Sequence, residues 1–281
     1  MAERMLQFVR LSQAQPEKRD AAERRADFGE IYREFAAEAA AAQASRCSQC
    51  GVPFCSVHCP LNQNIPDWLK LTAEGRLEEA HEVNAATNTF PEICGRICPQ
   101  DRLCEGNCVI EKGFEAVTIG AVEKYINDTA WERGWIKPPK PRTELPCSIG
   151  IIGAGPAGLA AAERLRTRGY QVHVYDRYDR VGGLMIYGIP NFKLEKEVVL
   201  RRARQFEDGG IVFHLNCAVG QDVTCTHADP IAAGNSADTI AGDAATSSHM
   251  PMNRKRRVID VVYTRARRDR GSALPSACRR R

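Results

Sequence analysis

No run of eighteen or more apolar residues occurs in the 281-residue chain, so no segment reads as a membrane-spanning helix. The charged stretch 1–20 has no apolar core after it, which excludes a secretory signal and makes the cytosol the expected compartment. Histidine is sparse, at six residues, and His58, His81 and His173 lack metal-ligand spacing, so they are expected at the surface or in packing. A basic main body is missing too. The formal charge is +4, but residues 225–281 hold eleven Lys and Arg against five Asp, a balance of +6, which leaves residues 1–224 at −2. That balance excludes a charge-driven nucleic-acid partner for the main body.

Cysteine is what the chain has in excess. There are twelve, and eight of them fall between Cys47 and Cys108. A reducing compartment disfavours disulfides, and buried structural thiols would be scattered, so this concentration points to metal. The first group is Cys47-x2-Cys50-x4-Cys55-x3-Cys59-Pro60, and the second is Cys94-x3-Cys98-Pro99-x4-Cys104-x3-Cys108. Zinc modules usually show paired CxxC knuckles, whereas only one CxxC occurs here. Iron-sulfur centres are the better reading, and in two-cluster ferredoxins the Cys before Pro serves the other cluster, so ligands from the two groups are expected to interleave.

Apolar periodicity divides the chain. Phe28, Ile31, Tyr32 and Phe35 fall at helical spacing and predict one amphipathic helix over 17–44. Two short helices are expected between Pro66 and Thr87, another over 121–131, and no alternating strand pattern precedes residue 145. Three prolines within 137–142 mark a spacer. Beyond it the pattern predicts a strand over 147–152, a helix over 156–168, a strand over 171–176, a helix over 194–207 and a strand over 211–215. From Cys225 onward there is no Glu, Phe or Trp and no sustained period, so 225–281 is expected to be an unstructured tail, possibly a shifted reading frame.

Gly153-Ala154-Gly155-Pro156-Ala157-Gly158 closes one predicted strand and opens a predicted helix, as a dinucleotide fingerprint requires. Gly153 permits the tight turn, Gly155 lets the backbone approach a pyrophosphate, and Gly158 lets helix pack on strand; the helix N-terminus offers N–H donors to phosphate. Asp176 ends the next strand, where a carboxylate can accept from a ribose hydroxyl. Gly182, Gly183 and Leu184 offer a further close backbone approach. Adjacency to iron-sulfur ligands tilts the dinucleotide toward FAD, since a flavin converts a hydride into single electrons.

Over residues 1–224 the chain resembles the small (beta) subunit family of bacterial NADPH-dependent glutamate synthase. The resemblance rests on the first cysteine group, on the run Pro91 to Pro99, on the glycine loop, and on Gly182-Gly183-Leu184-Met185-Ile186-Tyr187-Gly188-Ile189-Pro190-Asn191-Phe192-Lys193-Leu194. The same domain pair opens dihydropyrimidine dehydrogenase. It implies an all-α, ferredoxin-like domain with two 4Fe-4S clusters over 1–142, a partial α/β Rossmann-type FAD domain over 143–224, and a large (alpha) subunit as partner. It also implies one ligand set of Cys47, Cys50, Cys55 and Cys108 and another of Cys59, Cys98 and Cys104, completed by Cys94 or Glu123. NADPH reduces FAD in the full-length family; no second GxGxxG follows Gly158 here, so the chain is expected to stop short of the NADPH domain. Because cofactors carry the chemistry, no general acid or base is expected. The alternatives are a related flavoprotein module of dihydropyrimidine dehydrogenase or ferredoxin:NADP transhydrogenase type, or a metal-stapled docking domain.

Overall fold

The computed structural model describes residues 4–223 and 261–265. The chain divides into two compact units, one formed by Met1–Lys137 with Ile189–Val199 and the other by Pro138–Gly188 with Leu200–Arg281. The cut at Lys137 falls in the proline-rich spacer. The return of Ile189–Val199 to the first unit departs from the expected 143–224 division.

The first unit is built from short helices: α1 (Ala21–Asp27), α2 (Ala37–Ser45), α3 (Phe54–Val57), α4 (Ile65–Ala73), α5 (Leu77–Ala85), α6 (Pro91–Ile97), α7 (Glu111–Phe114) and α8 (Ile119–Glu132). Pro66 sits in the first turn of α4, where its missing N–H is harmless. The buried residues of α4, Ile65, Trp68, Leu69, Thr72 and Ala73, lie along one helical stripe, and those of α8 do likewise. The two stripes meet in a core with Ala44, Ala80, Ile110 and Val117, against which Cys55, Cys59, Cys104 and Cys108 pack.

The single helix expected over 17–44 is two helices with an extended stretch between them. Phe28 closes α1 in the left-handed region (φ 51°), and the Asp27 carboxylate accepts from the Gly29 N–H at 2.7 Å. The chain then turns back: Arg19 N–H donates to Ile31 O at 2.9 Å and Arg33 N–H to Glu17 O at 2.8 Å. Phe28 is 63% exposed and Tyr32 39%, so the helical stripe read from sequence does not face a core. The Asp-Phe-Gly run supplied the stop signal that periodicity overrode.

A buried ionic network joins that extended stretch to α6 and α8. Arg96 Nε lies 2.5 Å from Glu30 Oε1, its Nη2 lies 2.7 Å from Asp128 Oδ2, and Lys124 Nζ lies 2.6 Å from Glu30 Oε2.

The second unit is a small sheet with helices. Its elements are β1 (Cys147–Ile152), α9 (Pro156–Thr167), β2 (Gln171–Tyr175), α10 (Leu184–Tyr187), α11 (Lys196–Asp208, which begins in the first unit), β3 (Ile211–His214) and β4 (Val261–Arg265). The sheet order is β3-β2-β1-β4. β1 pairs with β2 and β2 with β3 in parallel, while β4 runs antiparallel to β1 with Ile149 opposite Tyr263. The burial of Ile149, Ile151, Val172 and Val174 accounts for the apolar runs of β1 and β2. Sequence reading found no element after Thr224, yet β4 lies there; the rest of that tail lies outside the described residues. Among the described residues no helix is long and apolar enough to cross a membrane.

Two consequences are testable. Arg96→Met removes the guanidinium that Glu30 and Asp128 share, and it should destabilise the chain by about 3–5 kcal/mol, read as a lower urea midpoint at unchanged slope; a loss within about 0.5 kcal/mol would show the network to be surface-like. On the neighbouring strands of the sheet, His173 Nδ1 lies 3.1 Å from His214 Nε2, and burial first, then the second imidazole, lowers the His173 pKa below its ordinary 6.5. The folded state therefore binds fewer protons than the unfolded one in that window, so stability should fall as pH drops through about 6.5. Following the unfolding midpoint against pH in the chain and in His173→Gln checks this, since the variant should lose part of the slope.

Candidate functional site

Helix ends and tight turns carry the thiols inward. Gln49 takes a left-handed φ of 51°, which turns the chain between Cys47 and Cys50. That turn aims both the Gln49 N–H and its side-chain Nε2 at Cys47 Sγ, each at 3.4 Å, while Ser48 Oγ lies 2.9 Å from Cys50 Sγ. None of the eight cysteines from Cys47 to Cys108 is in a disulfide.

Mutual electrostatics sort these thiols into two neighbourhoods. Burial pushes the Cys47 thiol up to about 11 despite the two Gln49 donors, with the charges of Cys108 and Cys50 adding to the rise. Burial likewise pushes Cys55 up to about 12, helped by Cys47 and Cys108. Cys47, Cys50, Cys55 and Cys108 are therefore neighbours, although Cys108 is remote in sequence. In the other neighbourhood, the Cys94 thiol is raised by its hydrogen bond to Cys98 and then by burial, and the same bond lowers Cys98. Cys104 is raised by burial, then by Glu105, Glu123 and Cys59. Cys59, from the first sequence group, thus lies with the second group.

Glu123 of α8 reaches Cys94, Cys98 and Cys104 electrostatically. Its Oε1 accepts from Gln63 Nε2 at 2.7 Å, Asn84 Nδ2 at 3.1 Å and Asn88 Nδ2 at 3.4 Å. Its Oε2 has no hydrogen bond among the described residues. Burial outweighs those three donors and raises the carboxyl to about 7. Asn88 also accepts from the Cys94 thiol at 3.8 Å. The amides of Gln63, Asn84 and Asn88 went unnoticed in the sequence, where nothing in their spacing marks them; only the packing of α4, α5 and α6 around α8 gathers them.

Among the described residues no three or more His, Cys, Asp or Glu side chains are gathered as tightly as a single metal ion needs. A lone tetrahedral zinc holds sulfur at about 2.3 Å. An iron-sulfur cube is larger, and its four thiolates stand on a wider frame. Two groupings of soft thiols, undisulfided and half-buried, therefore suit two such cubes by donor chemistry.

In the second unit, the glycine loop follows β1. Gly153 has φ 103°, and its N–H donates to Tyr175 O at 2.7 Å, carrying the pairing of β1 with β2 one residue further. A Cβ at Gly158 would stand 1.9 Å from Gly153 O, and one at Gly183 2.8 Å from Gly155 Cα. Beside Gly153 and Gly155, by contrast, a Cβ would meet nothing within 4 Å, so the loop leaves an open cradle before the N-terminus of α9. Ala154 is buried and its carbonyl accepts from the Gly182 N–H at 2.8 Å, whereas Pro156, Ala157 and Leu184 are exposed at the rim. Asp176 Oδ2 accepts from the Ala154 N–H at 2.6 Å and Oδ1 from the Tyr178 N–H at 2.9 Å. The acid expected to meet a ribose thus also ties the loop to the end of β2.

These features define the class: an iron-sulfur-type helical domain followed by a dinucleotide-binding Rossmann-like domain. Residues 24–135 match the family model of dihydropyrimidine dehydrogenase domain II, 4Fe-4S cluster, and residues 151–214 match that of the NAD(P)-binding Rossmann-like domain. The chain is 69% identical over 223 residues to the glutamate synthase (NADPH) small chain of Azospirillum brasilense, covering 79% of this chain and 46% of that protein. It is 49% identical over 223 residues to the Escherichia coli (strain K12) small chain, covering 79% and 47%. The Mycobacterium tuberculosis (strain H37Rv) small chain is 40% identical over 237 residues, covering 84% and 48%. Over the matched residues the chain is similar to glutamate synthase small chains, and it spans about half the length of the curated relatives it matches.

The tight contact at Gly158 has a direct consequence. Gly158→Ala should force α9 off β1 and destabilise the second unit by about 1–3 kcal/mol. Chemical denaturation followed by far-UV circular dichroism checks it, and an unchanged midpoint would show that the loop relaxes freely.

Proposed function

We propose that this chain is the electron-transferring part of an NADPH-dependent glutamate synthase, passing electrons from FAD through two 4Fe-4S centres toward a large subunit. The observation that carries the reading is the regrouping of thiols across the two sequence motifs, with Cys108 beside Cys47, Cys50 and Cys55, and Cys59 beside Cys104. When bound, FAD splits a hydride into single electrons and the iron-sulfur centres carry them one at a time.

The residues divide the work. Cys47, Cys50, Cys55 and Cys108 would hold one centre by their thiolates. Cys59, Cys98 and Cys104 would hold the other, with Glu123 as fourth ligand. Glu123 is preferred over Cys94 because its charge reaches Cys98 and Cys104 alike and its Oε2 is left without a hydrogen bond, whereas the Cys94 thiol is spent on Cys98 and Asn88. Gly153, Gly155 and the N-terminus of α9 would receive the FAD pyrophosphate, and Ala154, Pro156, Ala157, Gly158, Gly182, Gly183 and Leu184 shape that cradle. Asp176 holds the loop in place and keeps lone pairs for a ribose hydroxyl. The large subunit would use the delivered electrons in forming glutamate, and the expected setting is the cytosol. No residue of this chain needs to act as an acid or base in that scheme.

Anaerobic purification with iron, sulfide and flavin analysis tests the reading. About eight irons per chain are expected for two 4Fe-4S centres, and a colourless zinc protein would refute it. Cys94→Ser should retain both centres, whereas Glu123→Ala should lose about half the iron; the reverse pattern would give the fourth position to Cys94.

A further inference from the structure

Arg46 stands between α2 and Cys47, and its side chain is fully buried, at 0% exposure. Nε donates to Leu11 O at 2.8 Å, Nη2 to Phe114 O at 2.5 Å and to Glu115 O at 3.1 Å, and Nη1 to Ala116 O. All four acceptors are neutral carbonyls. They solvate the guanidinium without cancelling its charge, although a buried cation ordinarily has an anion at hand. The acids that reach it are the carboxylate of Glu115, which lies at the surface, and the Cys108 thiol. Cys108 belongs to the grouping of Cys47, Cys50 and Cys55.

The second grouping has the opposite surroundings. Glu123 reaches Cys94, Cys98 and Cys104, and Glu105, half-buried and accepting from the Gly120 N–H at 2.8 Å, reaches Cys104. One grouping therefore lies beside a fixed cation and the other beside two carboxyls.

We propose that Arg46 is the built-in countercharge of the Cys47, Cys50, Cys55 and Cys108 grouping, and that it makes this grouping the electron-accepting end of the pair. The inference rests on the cluster reading above and adds a direction to it. A 4Fe-4S centre on four thiolates is dianionic when oxidised, and each electron taken up adds one negative charge. Its potential therefore follows the net charge around it. A guanidinium that stays protonated favours the added electron at the first grouping. Burial keeps that effect from being screened by salt.

The test is a mediated dithionite titration of the full chain, loaded anaerobically and followed by EPR, with Cys50→Ser identifying the signal of the first centre. Arg46→Gln keeps amide donors for the carbonyls but removes the charge. At a fixed potential it should lower the reduced-to-oxidised ratio of the first centre about tenfold, equivalent to about 59 mV for a one-electron couple, and leave the second centre unmoved. Arg46→Lys, which keeps the charge, should stay within about twofold. Glu115→Gln, at the surface, should move the same centre about twofold in the opposite direction, the smaller size reflecting solvent screening. Equal shifts at both centres, or no shift at the first, overturn the assignment. If Arg46→Gln does not fold, Glu115→Gln decides alone: a raised ratio at the first centre supports the proposal and an unmoved one overturns it. A loaded, unaltered chain without any iron-sulfur EPR signal would instead refute the cluster reading itself.

Discussion

Helix α8 must be buried on nearly all of its inward face, and the helical unit follows from that constraint. Its apolar positions, Ile119, Val122, Ile126 and Ala130, enter the core, but Glu123, Asn127 and Asp128 are buried with them. Buried polar groups destabilise a fold unless each finds a partner. Here Asn127 donates to Asn84 Oδ1 at 2.8 Å and to Glu123 O at 2.7 Å, the amides of Gln63, Asn84 and Asn88 converge on Glu123, and Arg96 takes Asp128. The network leaves each neighbouring helix few ways to pack. It fixes α4, α5 and α6 around α8 and so sets where Cys59, Cys94 and Cys98 stand.

The same unit also separates charge. Carboxyl groups gather around one set of thiols and a lone guanidinium beside the other, and each is held by neutral amides or carbonyls rather than by a tight ion pair. An ion pair would have stabilised these charges locally and left little field outside it. Dipolar solvation keeps each charge in place while its field persists in a low-dielectric interior. In the proposed electron-transfer role, such a field would act on every transfer without any moving part.

In the second unit, order comes from close backbone approach. The glycine loop has no side chain to hold it, so it is fixed from outside: by Asp176 on Ala154, by Gly182 on the Ala154 carbonyl, and by the contact of Gly158 with Gly153. Fixing the loop in this way keeps its N–H donors aimed before a ligand arrives, which lowers the ordering cost of binding.

The sequence by itself determined the elements whose signals are local. β1, α9 and β2 were legible because a strand, a glycine turn and a helix each depend on neighbours a few residues away, and the metal chemistry was legible because eight thiols in 62 positions have few other uses. The helix expected over 17–44 was misread for the complementary reason: spacing records which residues could share a face, not whether a core exists to receive it, and Asp27, Phe28 and Gly29 turned the chain first. The thiol groupings were implied by resemblance rather than by spacing, and only the tertiary structure decided that three amides hold Glu123, that Arg46 is buried without a tight anionic partner, and that β4 lies against β1. Each of these joins residues far apart in the chain, and such pairings are fixed by packing and burial, which no local spacing encodes.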